Sequence, residues 1–252
     1  QGESAQNAFG QAQIDWLGQT FAASSSTWKM LGSSVSFAPL VFDLTSGRAD
    51  SGDKLLEAIL DAELIPAQLK QRFYLEADQW DGVPQFKTNF VNDLLSQFGV
   101  ISISGDIHSS YVTEHPEHVA TGNKSFNFTT SSISSGTFGS FLENGMNSLL
   151  SGMEGVEMAS QFLPSYFDTL VRTATKREDM ADNLVFSNMW EHGVAIVEVD
   201  ADQVLVDFHN VGSEYHGRDT VTRSYYDDAA TFLRRVTKHS FKVANGVLEQ
   251  LS

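Results

Sequence analysis

Apolar positions along this chain change period several times, and each change marks an element. Between residues 7 and 24, Phe9, Ile14, Leu17 and Phe21 fall at spacings that share one helical face, and a serine cluster follows, which predicts an amphipathic helix. Two short apolar runs come next, Trp28 to Leu31 and Val35 to Phe42, separated by Gly32-Ser33-Ser34 and interrupted by Pro39; they read as strands. The polar stretch 45–54 is expected to be a surface loop, followed by short helices over "KLLEAILDAEL" (54–64) and "PAQLKQRFYLEA" (66–77). "DQWDGVP" (78–84) is loop-like. Phe86, Phe90, Leu94 and Phe98 then recur every fourth residue and stop at Gly99, as a helix with a glycine C-cap does.

The strand "VISIS" (100–104) follows at once and runs into Gly105, Asp106 and His108. Helix, short loop, buried strand and polar residues at the strand's carboxyl end is the α/β order in which ligands sit at the C-terminal edge of a sheet. "KSFNFTTSSISS" (124–135) alternates Phe126 and Phe128 and discharges into a hydroxyl-rich loop expected to face the same cleft. Residues 136–188 are glycine-rich at first and then helical by composition. "GVAIVEVDADQVLVDFHNVG" (193–212) is an antiparallel pair around an Asp200-Ala201-Asp202-Gln203 turn, and "DDAATFLRRVTKHSFKVANGVLEQL" (227–251) reads as a closing helix. The fold class expected is α/β.

The chain's 252 residues suffice for a sizeable core, and no apolar run approaches the roughly 18 to 20 residues of a membrane span. A formal net charge of -16, from 32 acidic and 16 basic residues, would repel phosphate backbones and argues against nucleic acid as a structural partner. Cysteine is absent, which removes disulfides, thiolate zinc sites and cysteine nucleophiles, so any metal must use oxygen and imidazole ligands. The start, Gln1-Gly2-Glu3-Ser4, has neither the basic nor the apolar region of a signal peptide and no initiator Met, from which proteolytic processing is expected. No G-x-S-x-G elbow, phosphate-binding P-loop, G-x-G-x-x-G turn or H-E-x-x-H helix is present.

Asp106 and His108 are the first chemical candidates. On a turn after a strand, residues two apart can point at one ion, and a carboxylate with a neutral imidazole suits iron, manganese or zinc better than calcium alone. An aspartate capping the next turn beside a histidine bonded to backbone is the bland alternative, and the spacing leaves both open. Asp200 and Asp202 lack the glycine and closing glutamate of a calcium loop and read as a solvated hairpin. His115 and His118, in "HSSYVTEHPEH", read as exposed loop residues, and His192, His209 and His216 show no partner spacing.

Four blocks in order give the chain a resemblance. "FGQAQIDWLGQTFAASSSTWKMLGSSVSFAPL", "FYLEADQWDGVP", "VISISGDIHSSY" and "FNFTTSSISS", with the later "MWEHGVAIVEVDADQVLVDF", resemble the PhoD-like alkaline phosphatases and phosphodiesterases, a branch of the calcineurin-like binuclear metallophosphoesterases. The resemblance implies half of a metallophosphoesterase-type β-sandwich flanked by helices, ending in an antiparallel hairpin and a C-terminal helix, with residues 217–252 a helical extension of one domain spanning 1–252. It implies hydrolysis of phosphate mono- or diesters by metal-activated water, using two or more cations: iron with calcium, or manganese or zinc. Asp106 and His108 match the family's last ligand motif. Asp81, in W-D-G, is a further candidate, as ligand or as an acceptor orienting one. Ser109 is a candidate substrate contact, as are Ser33 and Ser34, which stand where the family often has amides; Val83 replaces a tyrosine. The family's earlier ligand motifs, with their cysteine, do not occur in the chain, so an N-terminal fragment or complementary chain is the expected partner, alongside a phosphate ester substrate. Extracytoplasmic placement is implied too. The competing expectation is a catalytically degenerate subunit serving binding or extracellular assembly.

Overall fold

The computed structural model describes residues 9–45, 54, 57–58, 67–151, 157–176, 180–211 and 228–252. The helix expected over 54–64 lies outside them except at Lys54, Glu57 and Ala58. Helix α1 (Gln11–Ala23) precedes β1 (Met30–Ser33) and β2 (Val41–Asp43); β3 (Arg72–Tyr74) pairs antiparallel with β2. Helix α2 (Pro84–Asn89) widens into a π-helical turn over Phe90–Leu95 and leads to β4 (Ile101–Ser104), β5 (Ser110–Glu114) and β6 (Phe126–Thr129). Helices α3 (Phe138–Leu150), α4 (Glu157–Phe162) and α5 (Phe167–Ala174) come before β7 (Asn183–Asn188), β8 (His192–Val199) and β9 (Val204–Val211). Helix α6 (Ala229–Arg234), β10 (Val236–Ala244) and β11 (Val247–Gln250) close the chain.

Two sheets make the sandwich. The first has the order β1-β4-β6-β5-β7, with β1, β4 and β6 parallel; the second is the antiparallel run β11-β10-β9-β8. Ile101, Val112, Phe126 and Phe128 from the first sheet meet Val204, Val206, Phe208, Phe241 and Val243 from the second in one buried cluster. Alternation along each strand dictates this: inward residues lie two apart, and burying a Phe or Val there is worth about 1.5–3 kcal/mol each. On the other face, Ile14, Leu17 and Phe21 of α1, Phe86 of α2 and Phe90 and Leu94 of the π-helical turn pack around Phe37 and Trp80. The four-residue repeat of apolar positions therefore does mark the buried stripe of α2, and Gly99 ends the turn after it at φ +62°.

The structure corrects several local expectations. Residues 66–77 hold only a short 3-10 turn at Ala67–Leu69 before β3, because Arg72-Phe73-Tyr74 finds a pairing partner in Val41-Phe42-Asp43 that outweighs local helix propensity. His115 is not an exposed loop residue: it follows β5, which lies between β6 and β7, and it is buried, whereas His118 is half-buried in the loop beyond. Strand β7 falls in a region expected to be helical. The closing helix is present at Ala229–Arg234, but Val236 onward is a β-hairpin. Its turn, Asn245-Gly246, has positive φ at both residues, +53° and +73°, which is the hairpin signature of that dipeptide. Among the described residues no helix is long and apolar enough to cross a membrane.

Candidate functional site

Parallel register sets the geometry. Ser33, Ser104 and Thr129 are level with one another at the carboxyl ends of β1, β4 and β6, so the three loops that follow open on the same edge. Beneath that edge the hydroxyls are inward, not in the cleft. Ser36 Oγ and Ser104 Oγ lie 2.8 Å and 2.9 Å from Thr129 Oγ1, which donates to Asn127 Oδ1 at 2.9 Å, all in buried surroundings. The hydroxyl richness of these strand ends is thus partly a means of satisfying buried polar groups.

The turn after β4 is strained. Ile107 N donates to Gly105 O at 2.9 Å, a three-residue turn centred on Asp106, whose φ is +73°; His108 is also left-handed, at +57°. Such φ values cost a side-chain-bearing residue of order 1–3 kcal/mol and persist only where the surroundings impose them. Here Ile107 is driven into the core, where it packs with Leu40, Tyr111 and Phe138, and this presents its two neighbours at the surface edge. Asp106 is exposed and His108 half-buried.

His108 has one defined tautomer. Its Nδ1 lies 2.8 Å from the Gly136 carbonyl, which can only accept, so Nδ1 carries the proton and Nε2 keeps its lone pair. Phe141, from α3, tilts against the imidazole at 6.0 Å between ring centroids. A carbonyl fixing the far nitrogen of a histidine is the arrangement that metal-binding histidines use. The Asp106 carboxylate accepts from Gln79 Nε2 at 2.7 Å. Asp106, His108, Gln79, Glu76, Asp78 and Phe141 border a cavity of about 230 Å³.

The other candidates lie around this centre. The side chain of Asp81, in the short 3-10 turn Trp80–Gly82, is buried, and its Oδ2 accepts from Leu40 N at 2.8 Å and its Oδ1 from Lys87 Nζ at 2.7 Å. Ser33 Oγ donates to Val35 O and accepts from Trp80 Nε1; Ser34 is exposed. Both border a trough of about 630 Å³ between α1 and β1, which reaches Asp78 and Gln79. Ser109 is fully buried and sits beside the Tyr111 hydroxyl.

Sequence reasoning missed three features. Gln79, the variable position of D-x-W-D-G, joins the site because its amide reaches two loops; nothing in the sequence marks it apart from its place in the motif. A buried charge cluster supports the loop: Lys87 lies 2.7 Å from Asp81 and 3.2 Å from Asp182, and Asp182 accepts from His115 Nδ1 at 2.7 Å. Burial opposes the charge on Lys87, yet Asp81 and Asp182 hold its pKa above the ordinary lysine range. Burial likewise disfavours the Asp182 carboxylate, and Lys87 and His115 hold it well below the usual range all the same. Third, His192 lies near the site, where burial lowers its pKa against the opposing effect of a hydrogen bond with Ser132.

Asp106 and His108 suit a cation as one carboxylate and one imidazole with its ligating nitrogen free. Among the described residues, no group of three or more acidic or histidine side chains is placed to hold a metal ion. The residues fit as two ligands of a larger set. The model of the family described as PhoD-like phosphatase matches residues 1–208. No curated protein and no solved structure matches the chain.

Proposed function

We propose, for a chain that belongs to the PhoD-like phosphatase family, metal-dependent hydrolysis of phosphate mono- or diesters at the edge where Asp106 and His108 stand. The observation that carries this reading is the positive-φ turn at Asp106 and His108, which sets a carboxylate and an imidazole with Nδ1 held by the Gly136 carbonyl on one cavity at the sheet edge. Asp106 and His108 would hold the cation. When bound, such cations withdraw charge from a phosphoryl oxygen and bring the pKa of water down to about 7, which removes the need for a covalent serine. His108 contributes an imidazole whose Nδ1 is held by the Gly136 carbonyl, and Phe138 and Phe141 line that side of the cavity. Ser33 and Ser34, in the adjoining trough, are the proposed substrate contacts; Ser109 is fully buried, so a contact from it would require the loop to move. Asp81, tied to Leu40 N and Lys87, holds its loop against the site; a ligand role would require it to leave these partners.

The remaining ligands are proposed to come from an N-terminal segment or complementary chain. Two observations support this: β1 is the edge of the first sheet and pairs with β4 alone among the described strands, and the trough beside it continues into the site. An unpaired strand edge beside apolar surface is a place for another strand to add. Extracytoplasmic placement, an implication of the family, belongs to the same proposal. The short donor set favours one second reading, a catalytically silent subunit used in binding or assembly. Hydrolysis of p-nitrophenyl phosphate and bis(p-nitrophenyl) phosphate by the natively purified protein, before and after chelation, separates the two. The proposal expects activity lost to chelator and restored by divalent cation; an assembly without activity under any cation supports the second reading.

A further inference from the structure

We infer that Gln79 is the positioning residue that sets the Asp106 carboxylate in place for a cation, an inference that rests on the reading of Asp106 and His108 as ligands. Gln79 is only 7% exposed, and both ends of its amide are committed. Its Oε1 lies 2.6 Å from Ser36 N, a group that can only donate, which leaves the NH2 facing Asp106 Oδ2 at 2.7 Å. The orientation of the amide is therefore fixed by chemistry. The NH2 donates to one carboxylate oxygen, which fixes the carboxylate plane and leaves the other oxygen available.

The residue type follows from this geometry. One side chain must accept from the loop after β1 and donate to the turn after β4 at the same time; an ionised glutamate has no donor, a methionine has neither group, and an asparagine is a methylene short. Asp106 needs such a partner because its own turn gives the exposed carboxylate no other hydrogen bond within the described residues. Gln79 in turn is held by its neighbours in the chain. Trp80 stacks on Phe37 at 4.6 Å and on Phe90 at 5.3 Å, and Asp81 is bound by Leu40 N and Lys87. Three consecutive residues thus tie one loop to three elements, and the loop's rigidity is passed to Asp106 through one amide.

The test uses the natively purified protein with any segment that accompanies it, and reads the Mn²⁺ dissociation constant by titration calorimetry. Gln79→Met keeps the length and removes both hydrogen bonds; its affinity should fall by about 10- to 100-fold. In an Asp106→Ala background the same substitution should change affinity by less than about twofold, since a residue acting through Asp106 has nothing left to position. A merely structural role would weaken binding equally in both backgrounds, and that result overturns the inference. So does unchanged affinity in Gln79→Met when His108→Ala abolishes binding. If His108→Ala leaves Mn²⁺ binding intact, the ligand reading itself has failed, which is a separate outcome. Should Gln79→Met not fold, Gln79→Asn carries the same expectations.

Discussion

Replacing Lys87 by Met removes the one cation shared by two buried carboxylates. The Lys87 side chain is 7% exposed and lies 2.7 Å from Asp81 and 3.2 Å from Asp182, whose own side chains are 6% and 15% exposed. Methionine fills a similar volume, so little of the effect comes from a cavity. What remains is uncompensated charge: among the described residues, Asp81 keeps the Leu40 N–H and Asp182 keeps His115. Removing one partner from a buried ion pair costs about 3–5 kcal/mol. Each carboxylate retains one donor, which places the expectation near 3 kcal/mol, or roughly 6–12 °C in Tm for a domain of this size. Urea denaturation followed by tryptophan fluorescence measures it, with the midpoint lowered and the slope unchanged. Adding Asp182→Asn to Lys87→Met should recover part of the loss by removing one orphaned charge. A loss below about 1 kcal/mol would refute the claim that this lysine holds the W-D-G loop to the sheet.

Other consequences are equally specific. Burial pushes the Asp168 carboxyl up to about 6 despite its bonds from Ser187 and Met189, so the folded state retains a proton that the unfolded state loses from about pH 4 upward; stability should fall by up to about 3 kcal/mol between pH 4 and 6, and Asp168→Asn should flatten that limb in a pH series of urea melts. Asp182 works in the opposite direction: its pKa is depressed, so the stability it confers is present above about pH 4 and lost on further acidification, a loss that Asp182→Asn should abolish. Gly82→Ala would bring a Cβ to 1.8 Å from the Ala77 carbonyl oxygen, so the loop must shift; the variant should lose cation affinity together with several degrees of Tm, whereas wild-type affinity would show that Gln79 does not depend on this turn. Gly246→Ala, at φ +73° in the closing hairpin, should cost about 1–2 kcal/mol in urea melts without altering hydrolysis.

Where residues announce themselves by local period, the sequence was a good guide. α1, α2, β4, β6 and the hairpin β8–β9 follow from spacing alone, and the G-D-I-H turn stands at a sheet edge because a buried strand precedes it. Long-range pairing was harder to read. Arg72-Phe73-Tyr74 looks helical until Val41-Phe42-Asp43 is available as a partner, and His115 looks like a loop residue because what buries it, Asp182 among others, is distant in sequence. The Asn245-Gly246 turn was legible and overlooked: the dipeptide sits between β-prone runs, and its signal competed with an alanine- and leucine-bearing stretch just upstream. Within the site, Asp106 and His108 came from a local motif. Gln79 did not, because its role depends on where Ser36 and Asp106 lie in space, 43 and 27 residues away.

Asp106 and His108, as proposed, are cation ligands at a hydrolytic centre. The most direct measurement is elemental analysis of the natively purified protein and its His108→Ala variant, paired with turnover of p-nitrophenyl phosphate and its bis ester. The account predicts two or more bound cations in the parent protein, and in the variant a loss of cation together with a fall in turnover of at least about a hundredfold. Turnover and cation content unchanged by His108→Ala would contradict it.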